Sequence, residues 1–145
     1  MEKTAIITGT KRIGRLIAER LLSRGYNLCV VYRRSKEGVK IIEEIAKGSG
    51  RKVLTLKADL SNPSTYEEVV ERTYEEFGRI DAFVHLASPY YRTPMEKVSR
   101  EDFYNHFIPI AEAFLFISKL AYKKMFQNEG NIKGRIVAFG DWAIE

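Results

Sequence analysis

The segment Thr8-Gly9-Thr10-Lys11-Arg12-Ile13-Gly14 joins a short apolar run to a helical pattern. Gly9 permits a tight turn and Gly14 a close approach of helix to strand, while the helix that follows offers unpaired N–H groups and the positive end of its dipole. Such a turn suits a phosphate. A strand–helix connection that happens to carry two glycines is the other reading of the turn alone. A second group, Tyr32-Arg33-Arg34-Ser35, ends the next apolar run. A dinucleotide-binding unit places the adenosine ribose there; an acidic side chain would bond its 2′-hydroxyl, whereas the planar fork of arginine suits a 2′-phosphate. Arg33, Arg34 and Ser35 thus point to NADPH rather than NADH, with Arg12 able to reach the same phosphate, unless they form only a solvated basic strand end. Asp59, followed by Leu60 and Ser61, either accepts from an adenine amino group or shapes a turn.

These groups need elements to position them. Lys3 to Thr8, Asn27 to Tyr32, Lys52 to Leu56, Ile80 to Leu86 and Arg135 to Phe139 read as five buried strands, rich in β-branched and other apolar residues. Helical spacing follows the first four: from Ile13 to a stop at Gly25, from Val39 to Ala46, from about Ser64 to Phe77, and over a long stretch from Ser99 to Met125. Asn62, Pro63 and a Ser64–Glu67 capping box are expected to start the third helix. Strict alternation with short connections predicts an α/β fold: a doubly wound parallel sheet of strand order 3-2-1-4-5, covered on both faces. The ligand crevice of such a sheet lies at the carboxyl ends of its strands, beside the first, and the groups above all fall at that edge.

The 145 residues are read as one domain, 1–145, with 45% hydrophobic and 30% charged side chains. A single cysteine, Cys29, excludes an internal disulfide framework and makes a reducing, cytoplasmic setting the expectation. No apolar stretch is long enough for a membrane span, and Met1-Glu2-Lys3 leads into a short apolar run without the longer apolar core and cleavage site of a signal peptide, so the expectation is a chain neither secreted nor membrane-spanning. The net charge of +5 favours anionic partners, but the basic residues sit in small groups near two turns, which suggests a compact polyanion rather than nucleic acid. His85, His106 and Cys29 form no metal-ligand pattern, and a histidine on an apolar strand is most simply a satisfied core residue. Phe103, Phe107, Ile110, Ala111, Phe114, Ser118, Ala121 and Met125 make a stripe at helical spacing, read as core. Ser88, Tyr90, Tyr91 and Trp142 are positioned to border a planar substrate.

Taken together, the motifs resemble those of the short-chain dehydrogenase/reductases, over essentially the whole chain. Gly9 and Gly14 are similar to the outer glycines of that family's Thr-Gly-x-x-x-Gly-x-Gly turn, Asp59-Leu60 to its adenine-contacting pair, and His85-Leu86-Ala87-Ser88 to its Asn-Asn-Ala-Gly motif. Within the family the chain resembles pteridine reductases: Lys11-Arg12-Ile13-Gly14 is close to their Lys-Arg-Leu-Gly, Ala87-Ser88 matches their Ala-Ser, and Asp141 stands where they carry Asp in place of the catalytic Ser. The resemblance implies a Rossmann-type fold, cofactor contacts by Ala87 and Ser88 on the nicotinamide ribose side, and a homo-oligomer formed through the 99–125 helix.

The departures are equally specific. The glycine turn is one residue shorter, with Arg12 near the place of the middle glycine, and His85 replaces the first Asn of the strand-four motif. The family's catalytic helix Asn aligns with Ile110, directly after Pro109, which should kink the helix and free the carbonyl of Asn105. The family's Tyr-x-x-x-Lys should lie a dozen or more residues beyond Asp141, past Glu145; Tyr32 and Lys36 have that spacing, but on the adenosine side. The expectation is an NADPH-dependent reductase of a small-molecule C=O or C=N bond (carbonyl, 3-oxoacyl or pteridine-like), or its cofactor-binding part. In it, Gly9, Thr10, Arg12, Ile13 and Gly14 face the pyrophosphate and Asp141 orients substrate or relays a proton. The alternative is a non-catalytic NADP-binding or sensor module; a nucleic-acid binder ranks third.

Overall fold

The structure is a computed structural model and describes residues 2–140, so Asp141 and Trp142 lie outside the described residues. The chain runs β1 (Lys3–Thr8), α1 (Ile13–Ser23), β2 (Tyr26–Tyr32), α2 (Lys36–Ser49), β3 (Val53–Lys57), α3 (Thr65–Phe77), β4 (Ala82–His85), α4 (Arg100–Phe107), α5 (Ala113–Met125) and β5 (Arg135–Ala138). All strand pairs are parallel and the order is β3-β2-β1-β4-β5. The doubly wound topology expected from the alternation is therefore the one observed.

Alternate residues of each strand serve opposite faces, as the two-residue period of a strand demands. Ile6, Cys29, Val31 and Phe83 pack with Val69 and Val70 of α3 and Ile117, Ala121 and Met125 of α5. Ala5, Ile7, Leu28, Val30 and Val84 pack with Ala18 and Leu22 of α1 and Val39, Ile42 and Ala46 of α2. Cys29 sits in the first layer, where burial pushes its thiol up to about 12, so it behaves as a small core hydrophobe.

Two local expectations change. The Ser64–Glu67 capping box does not form: α3 begins at Thr65, the Ser64 hydroxyl donates instead to Asn62 Oδ1 at 2.9 Å, and the same oxygen accepts from the Ser64 N–H at 3.2 Å, so Asn62 holds the start of the helix. A complete capping box occurs at Ser99 and Asp102, which start α4. All four residues of β5, the edge strand, are exposed. The long stretch from 99 to 125 is two α-helices joined by a π-helical turn, Ile108–Glu112, with Pro109 at its start. Its apolar stripe divides accordingly: Ala121 and Met125 are buried, while Phe103, Phe107 and Ile110 are 55, 45 and 37% exposed. The core reading holds for the second half of that stripe only.

Candidate functional site

The first turn is built from backbone restrictions. Gly9 has φ +89°, and a Cβ on Gly14 would lie 2.1 Å from the carbonyl oxygen of Gly9, so only glycine lets α1 seat on the end of β1. Arg12 has φ 46° and ψ −109°, the sole positive φ of a non-glycine among the described residues, and it directly precedes α1. Such a conformation is sparsely populated for a residue with a Cβ, and the strain sits where a glycine would be at ease. Thr10 is buried beneath α2, where Gly38 approaches so closely that a Cβ would come within 2.7 Å of the Thr10 carbonyl oxygen. Gly38 thus belongs to the support of the turn, a role that its place just ahead of the Val39–Ala46 pattern does not disclose.

At the ends of β2 and β3 the basic and acidic candidates meet. Arg33 Nε lies 3.0 Å from Asp59 Oδ2, both side chains about half exposed. Asp59 Oδ1 also accepts from the Ser61 N–H at 3.0 Å. Partial burial opposes ionisation of this carboxyl, but the Ser61 hydrogen bonds and the Arg33 and Arg34 charges outweigh it, and its pKa is lowered. Asp59 is therefore both a turn residue and a member of the cleft. Arg12 and Arg34 line the same cleft and enter no ion pair among the described residues.

β1 and β4 form the floor. Thr8 pairs with His85 in the sheet register, and the Thr8 hydroxyl receives the N–H groups of Leu86 at 3.2 Å and Ala87 at 3.3 Å. On its other side Thr8 Oγ1 lies 2.9 Å from His85 Nδ1, and His85 Nε2 lies 3.0 Å from the carbonyl oxygen of Pro109. The reading of His85 as a satisfied core residue is right as far as it went. The carbonyl put to use by the kink is that of Pro109, not Asn105, because Ala113 N–H bonds the Ile108 carbonyl five residues back and leaves the Pro109 carbonyl without its usual helical donor.

Gly9, Thr10, Arg12, Ile13, Gly14, Arg33, Arg34, Ser35, Asp59, Leu60, Ala87 and Ser88 all line one cleft of about 880 Å³ at the carboxyl edge of the sheet. Tyr32, His85, Pro109, Ile110, Phe139 and Gly140 share it. Of the residues considered for a planar substrate, Ser88 and Tyr90 line the cleft, Tyr90 with 97% of its surface free. Tyr91 does not line it: its ring lies 4.3 Å from that of His106 and its hydroxyl bonds Asp102, which tethers it to α4. No helix among the described residues is long and apolar enough to cross a membrane.

Comparison with known proteins is consistent in kind. The family model for short chain dehydrogenases matches residues 3–140. A hydroxynaphthalene reductase of Aspergillus fumigatus is 30% identical over 83% of this chain and 44% of its own length. A 3-oxoacyl-[acyl-carrier-protein] reductase of Staphylococcus epidermidis is 33% identical over 60% of this chain and 36% of its own. Among solved structures, a short chain dehydrogenase of Burkholderia cenocepacia in complex with NADP superposes with a TM-score of 0.84 at 28% identity, covering 94% of this chain and 54% of that one. An acetoin dehydrogenase of Enterobacter cloacae gives 0.85 at 28% identity, over 95% of this chain and 54% of that one. The chain thus spans about half the length of the relatives it matches.

Proposed function

This chain belongs to the short-chain dehydrogenase family, and we propose that its edge cleft binds NADPH as the cofactor-binding part of a reductase. The observation that carries this reading is the convergence of the glycine turn, the arginine-bearing end of β2, Asp59 and the Ala87-Ser88 segment on one cleft at the switch point beside β1. The residues fit the cofactor in their donor chemistry. The Gly9–Gly14 turn and the start of α1 face the pyrophosphate, where backbone N–H groups and the helix dipole favour negative charge. Arg34, Arg12 and Ser35 take the 2′-phosphate, Asp59 and Leu60 border the adenine, and Ala87 and Ser88 lie on the nicotinamide ribose side.

NADPH, when bound, supplies the hydride. A small molecule with a C=O or C=N bond accepts it in the whole protein, and Asp141 orients that substrate or relays the proton it takes up. The protein works in the cytoplasm, needs neither nucleic acid nor membrane, and assembles as a homo-oligomer through the 99–125 segment, where Phe103 and Phe107 are exposed. Calorimetric titration of this chain with NADP+ and NAD+ tests the cofactor assignment: saturable binding with a clear preference for NADP+ is expected. Equal affinities, or no binding of either, would overturn it.

A further inference from the structure

For a neutral ring the hydrogen bonds around His85 admit one assignment of protons. A carbonyl oxygen only accepts, so the contact at 3.0 Å to Pro109 requires the proton on Nε2. Nδ1 is then an acceptor, and the only hydrogen at hand is that of the Thr8 hydroxyl 2.9 Å away. With its hydrogen committed to the ring, Thr8 Oγ1 turns its lone pairs to the N–H of Ala87 and to that of Leu86, which it shares with the Thr8 backbone carbonyl 3.0 Å away. A single directional chain therefore runs from the amides that follow β4, through Thr8 and the imidazole, to the π-helical turn.

We propose that His85 is a positioning residue: in its neutral Nε2–H form it orients the Thr8 hydroxyl so that the Leu86–Ala87 backbone is held against the glycine turn, and protonation of the ring loosens that wall of the cleft. A proton added at Nδ1 turns an acceptor into a donor facing Oγ1. Oγ1 then meets three N–H donors with two lone pairs, and its own hydrogen loses its partner in a residue with no exposed surface. The groups that meet the ring are the Thr8 hydroxyl from β1, Phe83 from β4 at 5.7 Å between ring centres, Phe114 from α5 at 5.8 Å, and the backbone of Pro109 and Ile110. None of these titrates. Burial accordingly disfavours the charged ring and holds its pKa below the ordinary 6.5, although the backbone acceptors partly oppose this. The neutral form thus prevails at neutral pH, and the effect lies on the acid side.

The consequence for affinity rests on the NADPH reading above; the proton assignment does not. Long-range ¹H–¹⁵N spectra of the cofactor-free chain should give a protonated Nε2 and a bare Nδ1 for His85 at pH 7.5. The protection factor of the Ala87 amide should fall at least about fivefold between pH 7 and pH 5, while those of Leu86, which also donates to the Thr8 backbone carbonyl at 3.0 Å, and of Ile6, in the middle of β1, stay nearly constant. His85→Gln can accept from Thr8 and donate to Pro109 without titrating, and it should keep the protection while losing the pH dependence. The pH profile of NADP+ affinity in the parent should contain the same step, and His85→Gln should lose that step while keeping those of Asp59 and of the 2′-phosphate itself. A proton on Nδ1, or an unchanged pH response of the Ala87 amide in His85→Gln, would overturn the proposal. An Ala87 amide that responds as described in a chain that binds no NADP+ would support the positioning role and overturn only the cofactor reading.

Discussion

Arg33 and Asp59 face one another across the ends of β2 and β3 with 3.0 Å between Nε and Oδ2. The pair divides the work of neighbouring arginines. Arg33 is tied to Asp59, whereas Arg34 enters no ion pair among the described residues and is free, on the cofactor reading proposed above, to meet a phosphate. Replacing Arg34 by Asp should therefore lower affinity for NADP+ relative to NAD+ by about 10- to 100-fold, the worth of one or two charge-assisted hydrogen bonds. Titration of both dinucleotides against both proteins checks this, and an unchanged ratio would count against the assignment.

The same ion pair has a pH signature. The Asp59 pKa is lowered in the fold, so its contribution is present above the carboxyl's unfolded value and fades as pH falls through the folded one. Because both side chains are about half exposed, solvent screens the pair and its share of stability is small. Asp59→Asn should leave the melting temperature at pH 7 within a few degrees of the parent and remove an acid-side step from the pH dependence of dinucleotide binding. Isothermal titration from pH 3.5 to 7 would detect it.

Glycine substitutions separate close packing from open space. Gly14→Ala places a Cβ 2.1 Å from the Gly9 carbonyl oxygen and should cost about 3 kcal/mol or more, measured by urea unfolding. Gly48→Ala, on α2 with nothing within 4 Å, should be neutral or stabilising by up to about 1 kcal/mol. Similar losses at both positions would contradict the packing described.

Arg12 should separate stability from binding. Relief of its positive φ by Arg12→Gly removes about 1–3 kcal/mol of strain, against about 0.5–1 kcal/mol of added chain entropy in the unfolded state. The variant should melt higher yet show a weaker preference for NADP+ over NAD+. Loss of stability would mean that the turn does not hold Arg12 against its preference.

Oligomerisation tests the exposed aromatics of α4. Phe103 and Phe107, stacked at 5.4 Å between ring centres, leave about half of their surface free. Phe107→Glu should reduce the assembled mass seen by light scattering without lowering the melting temperature of the monomer. An identical mass in parent and variant would exclude this face as the interface.

The parallel order was legible because runs such as Lys3–Thr8 and Tyr26–Tyr32 are buried on both faces and alternate with helical patterns at short intervals. The cleft was legible because glycines and arginines at strand ends have few other reasons to cluster. What escaped detection depends on distance in sequence. Gly38 supports Thr10, His85 reaches both Thr8 and Pro109, and Ser64 gives up its cap to Asn62; each choice is made by a neighbour that periodicity does not identify. The aromatic stripe misled for a related reason. The π-helical turn at Pro109 shifts the register of α4 relative to α5, so side chains on one calculated face part company.

The pairing of β1 with β4 joins residues 77 positions apart, and Thr8 with His85 is its last rung. On a ribosome, β1, β2 and β3 can emerge, pair in sequence and receive α1 and α2 long before β4 is made. The floor of the cleft closes only after that delay, when β4 docks on a β1 that β2 and β3 already hold. Until then Ile6 and its neighbours present an unfilled edge, so the nascent chain is most vulnerable to chaperone capture or misassociation during synthesis of residues 60–85. Codon changes that slow translation across that interval should affect yield more than the same changes placed elsewhere.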